Sequence, residues 1–145
     1  MGNFEKQALV LSVQECLYAI PLDLVQRVVP AAEITPIPDS STTISGLINL
    51  SGDLIPVLDM RQLLLQTHQD VQLSDQFIII QIKERKVALW ADFVVGIVET
   101  VDTDFISIDT LATTTTKRIS DKAMKLNEKI VYLIDVVRYL EEVFQ

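Results

Sequence analysis

Short Val- and Ile-rich runs separated by a few polar residues constrain this chain's fold more than any other feature. The runs are ALVLSV (8–13), CLYAI (16–20), LINL (47–50), LIPVL (54–58), FIIIQI (77–82), VALWA (87–91), VVGIVETV (94–101) and IVYLI (130–134). Their lengths and β-branching suit strands rather than helices. The punctuation between them is short: Gln14-Glu15, Ser51-Gly52-Asp53 and Lys83-Glu84-Arg85-Lys86. Connections of that length join antiparallel neighbours, so the spacing predicts hairpins.

Two segments read as helices. Asp59 is placed to cap MRQLLLQ, with Gln62 three residues on in a capping-box arrangement. Asp135 opens VVRYLEEVF, where Val136, Val137, Leu140, Val143 and Phe144 fall on one helical face. The stretch TLATTTTKRISDK (110–122) reads as a loop, and the polar QTHQDVQLSDQ (66–76) as a link between two halves.

The halves resemble each other. Shifted by 69 residues, LVLSVQECLYAI (9–20) lies over IIIQIKERKVAL (78–89), and DLVQRVV (23–29) over DFVVGIV (92–98). Shifted by 76, LINLSGDLIPVLD (47–59) lies over AMKLNEKIVYLID (123–135), and both end in an Asp that enters a helix. The expected fold is therefore mainly β, with two five-stranded antiparallel barrels sharing a core and a few short helices, including a C-terminal one. The whole of 1–145 forms one domain, with subdomains over about 7–66 and 74–145 and strand exchange between them left open. Closing the sheets on themselves hides their edges.

Composition narrows the function. The chain has a net charge of −8, which repels phosphate backbones and anionic membrane surfaces and so argues against nucleic-acid partners. One cysteine, Cys16, allows no internal disulfide and fits a reducing compartment. The start, MGNFEKQ, has no apolar core of a secretion signal, and Lys6 stands where a myristoylation site wants Ser or Thr. No run is long enough to span a membrane, so insertion is not expected.

The duplicated Asp59 and Asp135 suggest a symmetric carboxylate pair like that of aspartic proteases. Met60 and Val136 follow them, however, where that site needs a small residue and Gly, and helix capping accounts for both. His68 is a lone histidine in a polar linker, Cys16 reads as a core residue, and Trp90 reads as core beside Asp92. No zinc or calcium spacing occurs, and no cofactor is expected. The reading is a binding surface without catalysis.

Residues 44–61, ISGLINLSGDLIPVLDMR, resemble the CheW-like domain of bacterial chemotaxis adaptors, whose motif matches at Gly46, Asn49, Leu50, Gly52, Pro56, Asp59 and Arg61. LVLSVQECLYAIPLDLVQRVV, ITPIP, VALWADFVVGIV and IVYLIDVVRYL are similar to other parts of that family in the same order. The resemblance implies two SH3-like barrels and a cytoplasmic, non-enzymatic adaptor recruited to membrane receptor arrays through its partners. Those partners would be the regulatory domain of a CheA-type histidine kinase and the cytoplasmic tip of a methyl-accepting chemoreceptor. It places Gly46, Leu50, Gly52 and Leu54 on the kinase-facing patch. It places Val25, Arg27, Ser51, Val87 and Val94 in a receptor-facing groove, with Val25 and Arg27 sharing a strand face.

Arg27 stands where the family usually has Glu, and Ser51 where it has Arg. In the family these acidic and basic positions commonly lie near the receptor-binding surface, and their joint change is consistent with a divergent receptor contact in a pathway for pili, surface motility or another output, since losing one partner of an ion pair is costly while changing both need not be. The alternatives are a free-standing kinase-regulatory or receiver-fusion CheW-like module, and an enzyme on a duplicated barrel. The start at Met1 and the end just after the last helix favour the stand-alone adaptor over a fusion. Weak self-association follows if barrel edges that bind a related domain also bind a copy.

Overall fold

The structure, a computed structural model, describes residues 6–38, 44–65, 70–100, 105–107 and 122–143. His68 and nearly all of the Thr-rich 110–122 segment lie outside the described residues.

Four hairpins dominate. They are β1 (Gln7–Val13) with β2 (Cys16–Pro21), β4 (Ile44–Leu50) with β5 (Asp53–Asp59), β6 (Gln76–Ile82) with β7 (Arg85–Ala91), and β10 (Lys122–Leu126) with β11 (Lys129–Leu133). Each has a two-residue connection, and the first three fall within the polar punctuation read from the sequence. In three of them both connecting residues have positive φ: Gln14 and Glu15 at 48° and 70°, Ser51 and Gly52 at 53° and 91°, Asn127 and Glu128 at 49° and 68°. That backbone matches the right-handed twist of the flanking strands. The remaining elements are a 3-10 turn at Leu22–Leu24, β3 (Val25–Pro30), α1 (Met60–Leu65), β8 (Phe93–Glu99), β9 (Phe105–Ser107) and α2 (Val136–Val143). Both helices start where the sequence places them. Asp59 Oδ1 accepts a hydrogen bond from the Arg61 N–H at 2.9 Å, and Asp135 Oδ1 accepts one from the Arg138 N–H at 3.1 Å. These bonds satisfy donors that a helix start leaves open, so the capping reading of both residues holds.

The strands form two sheets, ordered β8-β1-β2-β11-β10-β9 and β3-β6-β7-β5-β4. An isolated bridge from Thr35 to Leu47 extends the second sheet beyond β4. The orders are equivalent under the sequence repeat, and so are the registers. Ile78 opposite Leu89 repeats Leu9 opposite Ile20, and Leu47 opposite Pro56 repeats Ala123 opposite Tyr132.

The repeat halves and the compact units divide the chain differently. One unit joins Met1–Leu24 to Val94–Gln145, and the other is Val25–Phe93. The opening hairpin of each half is built into the sheet that holds the other half's closing hairpin, through parallel pairs of β2 with β11 and β5 with β7. The halves 7–66 and 74–145 have thus exchanged hairpins reciprocally.

Each unit has its own apolar cluster. In Val25–Phe93 it is Ile48, Ile55, Val57, Phe77, Ile79, Ala88 and Trp90. In the other unit it is Ala8, Val10, Ala19, Met124, Val131 and Leu133. Strands β1, β6 and β7 are buried on both faces, and so their sequences read as near-continuous apolar runs instead of alternating ones. Tyr18 is buried with its ring 5.9 Å from that of Tyr132. Burial first, then the neighbouring Cys16 and Tyr132, push the Tyr18 phenol above its ordinary pKa. Cys16 itself is exposed at the head of β2, against the expectation of a core residue, because it directly follows a tight turn.

A left-handed conformation costs a residue with a side chain about 1 kcal/mol or more. Replacing Glu128, at φ 68°, by Gly creates an Asn-Gly turn and should raise unfolding stability by about 0.5–1 kcal/mol in denaturant titrations. The same change at Glu84, which is not in the positive-φ region, should bring no gain.

Candidate functional site

The β4–β5 hairpin is the most distinctive surface in the Val25–Phe93 unit. Its turn is tied internally, with the Asn49 side-chain carbonyl accepting from the Gly52 N–H at 3.0 Å. A Cβ at Gly52 would meet nothing within 4 Å. The φ of 91° favours glycine there, and the site itself is open to an approaching surface. Leu54, just beyond the turn, is 67% exposed, while Leu50 across the hairpin packs partly against the unit's apolar cluster. Among the four residues of the expected kinase patch, Gly52 and Leu54 form the outer surface and Leu50 supports it.

Gly46 has a different role. It lies beside a bulge in the β4–β5 ladder, and a Cβ there would sit 2.3 Å from the Thr35 carbonyl oxygen and 2.6 Å from Ile34 Cγ2. The Thr35 strand segment crosses directly over it, with Thr35 and Leu47 exchanging backbone hydrogen bonds at 2.8 and 2.9 Å. Gly46 is buried and shapes the patch from beneath.

The residues expected in a receptor-facing groove are distributed as follows. Val25 and Arg27 lie on β3, an edge strand, with Val25 half-buried and Arg27 exposed. A bulge at Gln26 sets Val25 opposite Ile80 but Arg27 opposite Ile79. Adjacent residues of β6 point to opposite faces, so the bulge also separates Val25 from Arg27, contrary to the shared face that simple alternation predicts. Ser51 is exposed in the β4–β5 turn. Val87 is 0% exposed, inside β7 between β6 and β5, and so is unavailable to a partner. Its place in the expected groove is corrected on that ground. Val94 is half-buried on β8, at the position the repeat equates with Val25.

At the end of the sheet away from the Gly52 turn lies an ionic cluster that the sequence did not reveal. Arg61, 1% exposed at the start of α1, reaches Asp75 Oδ1 at 3.0 Å and Asp92 Oδ1 at 2.5 Å. Its guanidinium carbon lies 5.1 Å from the centre of the Trp90 ring. Asp75 Oδ2 accepts from Trp90 Nε1 and from the Gln72 N–H, each at 2.9 Å. One buried cation therefore ties together α1, the turn before β6, and the end of β7. The arrangement gives Asp75 and Asp92 structural partners rather than a catalytic geometry, and no group of three or more potential metal-ligating side chains occurs among the described residues.

Removing one member of a buried ion cluster strands the others. Arg61→Ala should lower unfolding stability by about 3–5 kcal/mol in denaturant titrations. A much smaller loss would show that Arg61 does not organise the unit.

Comparison with known proteins places these features in a family context. The family model of the CheW-like domain matches residues 7–144. The chemotaxis protein CheW of Thermotoga maritima is 24% identical over 139 residues, covering 96% of this chain and 90% of that protein. The crystal structure of the scaffolding protein TtCheW from Thermoanaerobacter tengcongensis superposes with a TM-score of 0.78 at 27% identity, over 90% of this chain and 89% of that one. The two sheets are accordingly the SH3-like barrels of that scaffold, as the sequence resemblance implied.

Proposed function

The chain belongs to the CheW-like domain family, whose members are chemotaxis adaptors, and on that premise we propose how its surfaces are used. The adaptor contacts the regulatory domain of a CheA-type histidine kinase through the β4–β5 hairpin and a chemoreceptor's cytoplasmic tip through the region of β3, and it works in the cytoplasm. The observation that carries the kinase contact is the pairing of an open, tight turn at Gly52 with a leucine held out of the core at position 54. An exposed leucine on a rigid hairpin loses little side-chain entropy on binding and gains by burial in a partner pocket. Gly52 lets the partner backbone come close, and Leu50 and Gly46 keep the hairpin in one shape.

On this reading Arg27 and Ser51 set the receptor preference. Arg27 is a surface cation in a chain of net charge −8, and so it favours a carboxylate on the partner. The output served differs from the flagellar type to the extent that its receptor carries that complementary charge.

Calorimetric titration with the kinase regulatory domain encoded nearest to this chain tests the first contact. Saturable binding is expected, and Leu54→Asp should weaken it by about thirtyfold, the loss of a central hot spot. Since Leu54 is exposed, the variant should keep its unfolding midpoint. Unchanged affinity would contradict the hairpin contact. For the second contact, the Arg27→Glu/Ser51→Arg variant should couple a conventional receptor and kinase better than the unaltered protein does in a reconstituted kinase assay. Equal or poorer coupling would remove the specificity role of these two positions.

A further inference from the structure

Each sheet is built from both halves of the chain. In the Val25–Phe93 unit, the β6–β7 hairpin of the second half lies between β3 and β5 of the first. In the other unit, the β1–β2 hairpin of the first half lies between β8 and β11 of the second. Each inserted hairpin is paired with the other half along both of its sides: β6 with β3 and β7 with β5, β1 with β8 and β2 with β11. Neither half alone satisfies the backbone groups of either sheet.

The side chains divide in the same way. Ile55 and Val57 of the first half pack in one cluster with Phe77 and Trp90 of the second. Val10 and Ala19 of the first pack in the other cluster with Val131 and Leu133 of the second. Arg61 belongs to the first half, while its partners Asp75, Trp90 and Asp92 belong to the second. Separated halves would expose apolar surface and strand a charge, so the two assemble together. Only the connection between α1 and β6 joins a first half to the second half of its own copy. The ladders, clusters and ion pairs are the same whichever copy supplies each half.

We propose that two copies of this chain exchange whole halves, the first half of each completing both units with the second half of the other. The product is a closed dimer that keeps every pairing of the single chain and differs only in the course of the connection. In a single chain the connection holds the two halves at an effective concentration of roughly millimolar order. The exchanged dimer therefore forms from concentrated unfolded chain, and it separates only by unfolding. It carries two complete sets of surfaces in one particle, which makes it a bivalent form of the same module. The inference is independent of the kinase and receptor contacts proposed above, and its test uses neither partner.

Pro30 of β3 and Gln76 of β6 are register partners from opposite halves, and Pro30 is exposed. Full-length Pro30→Cys/Cys16→Ser and Gln76→Cys/Cys16→Ser are mixed, unfolded together, and refolded without reductant over a concentration series. A disulfide joining the two substituted positions, identified by peptide mass, should form between copies. Its fraction should rise about tenfold for tenfold more protein while it is the minor product. The same two variants mixed after folding should not form it in the same time. The unaltered chain refolded at the highest concentration should yield a dimer that persists in sedimentation after dilution into high salt, unlike a surface contact. The proposal is overturned if co-refolding gives no such disulfide, if copies mixed after folding give as much of it, or if the refolded dimer is absent or falls apart on dilution.

Discussion

The parallel pairing of β5 with β7, and of β2 with β11, is the constraint on which the rest of the structure depends. Val57 stands opposite Ala88, and the repeat carries that pair onto Leu133 opposite Ala19. Parallel neighbours cannot be joined by a tight turn. Here each parallel pair unites a closing hairpin from one half of the chain with an opening hairpin from the other. Exchange leaves β7 and β2 in the interior of their sheets, and the ends of the hairpins remain as surface. The exposed Leu54 and Ile130 follow directly, since each stands one residue into a strand just past a turn.

The Arg61 cluster reinforces this pairing in the Val25–Phe93 unit. Asp59, the last residue of β5, stands opposite Trp90 in β7 and caps the helix that begins at Met60. Arg61 then reaches back under Trp90 to Asp75 and Asp92. The cluster holds the two parallel strands and the entry to β6 at one end of the sheet, and the Gly52 turn lies at the other. A patch meant to recognise a partner needs rigid support, and this unit supplies it from an ionic network as well as from apolar packing.

Much of the fold was legible because it is local. Hairpins announce themselves by short polar gaps between apolar runs, such as Gln14-Glu15 and Lys83-Glu84-Arg85-Lys86, and helix starts by Asp59 and Asp135. The duplication was legible because both halves keep the same order of runs. The exchange was not, because the sequence pattern marks strands without saying which distant strand each one joins. Strand β9 has only three residues, too few to show a period, and the bulge at Gln26 leaves no mark in VQRVV. That bulge is why Val25 and Arg27 part, and the central place of β7 is why Val87 is buried. Arg61 was read as a motif match alone, since its carboxylate partners are 14 and 31 residues away along the chain.

Hydrogen–deuterium exchange of the free chain, and of the chain with a CheA-type kinase regulatory domain, tests the central claim most directly. That claim is that a rigid sheet presents its β4–β5 hairpin end as the kinase-docking surface. The account predicts slow exchange throughout β6 and β7 in both states, with new protection on binding confined to the residues around 50–55 and the adjoining start of β7. Protection centred elsewhere, or fast exchange in β7 of the free chain, would contradict it.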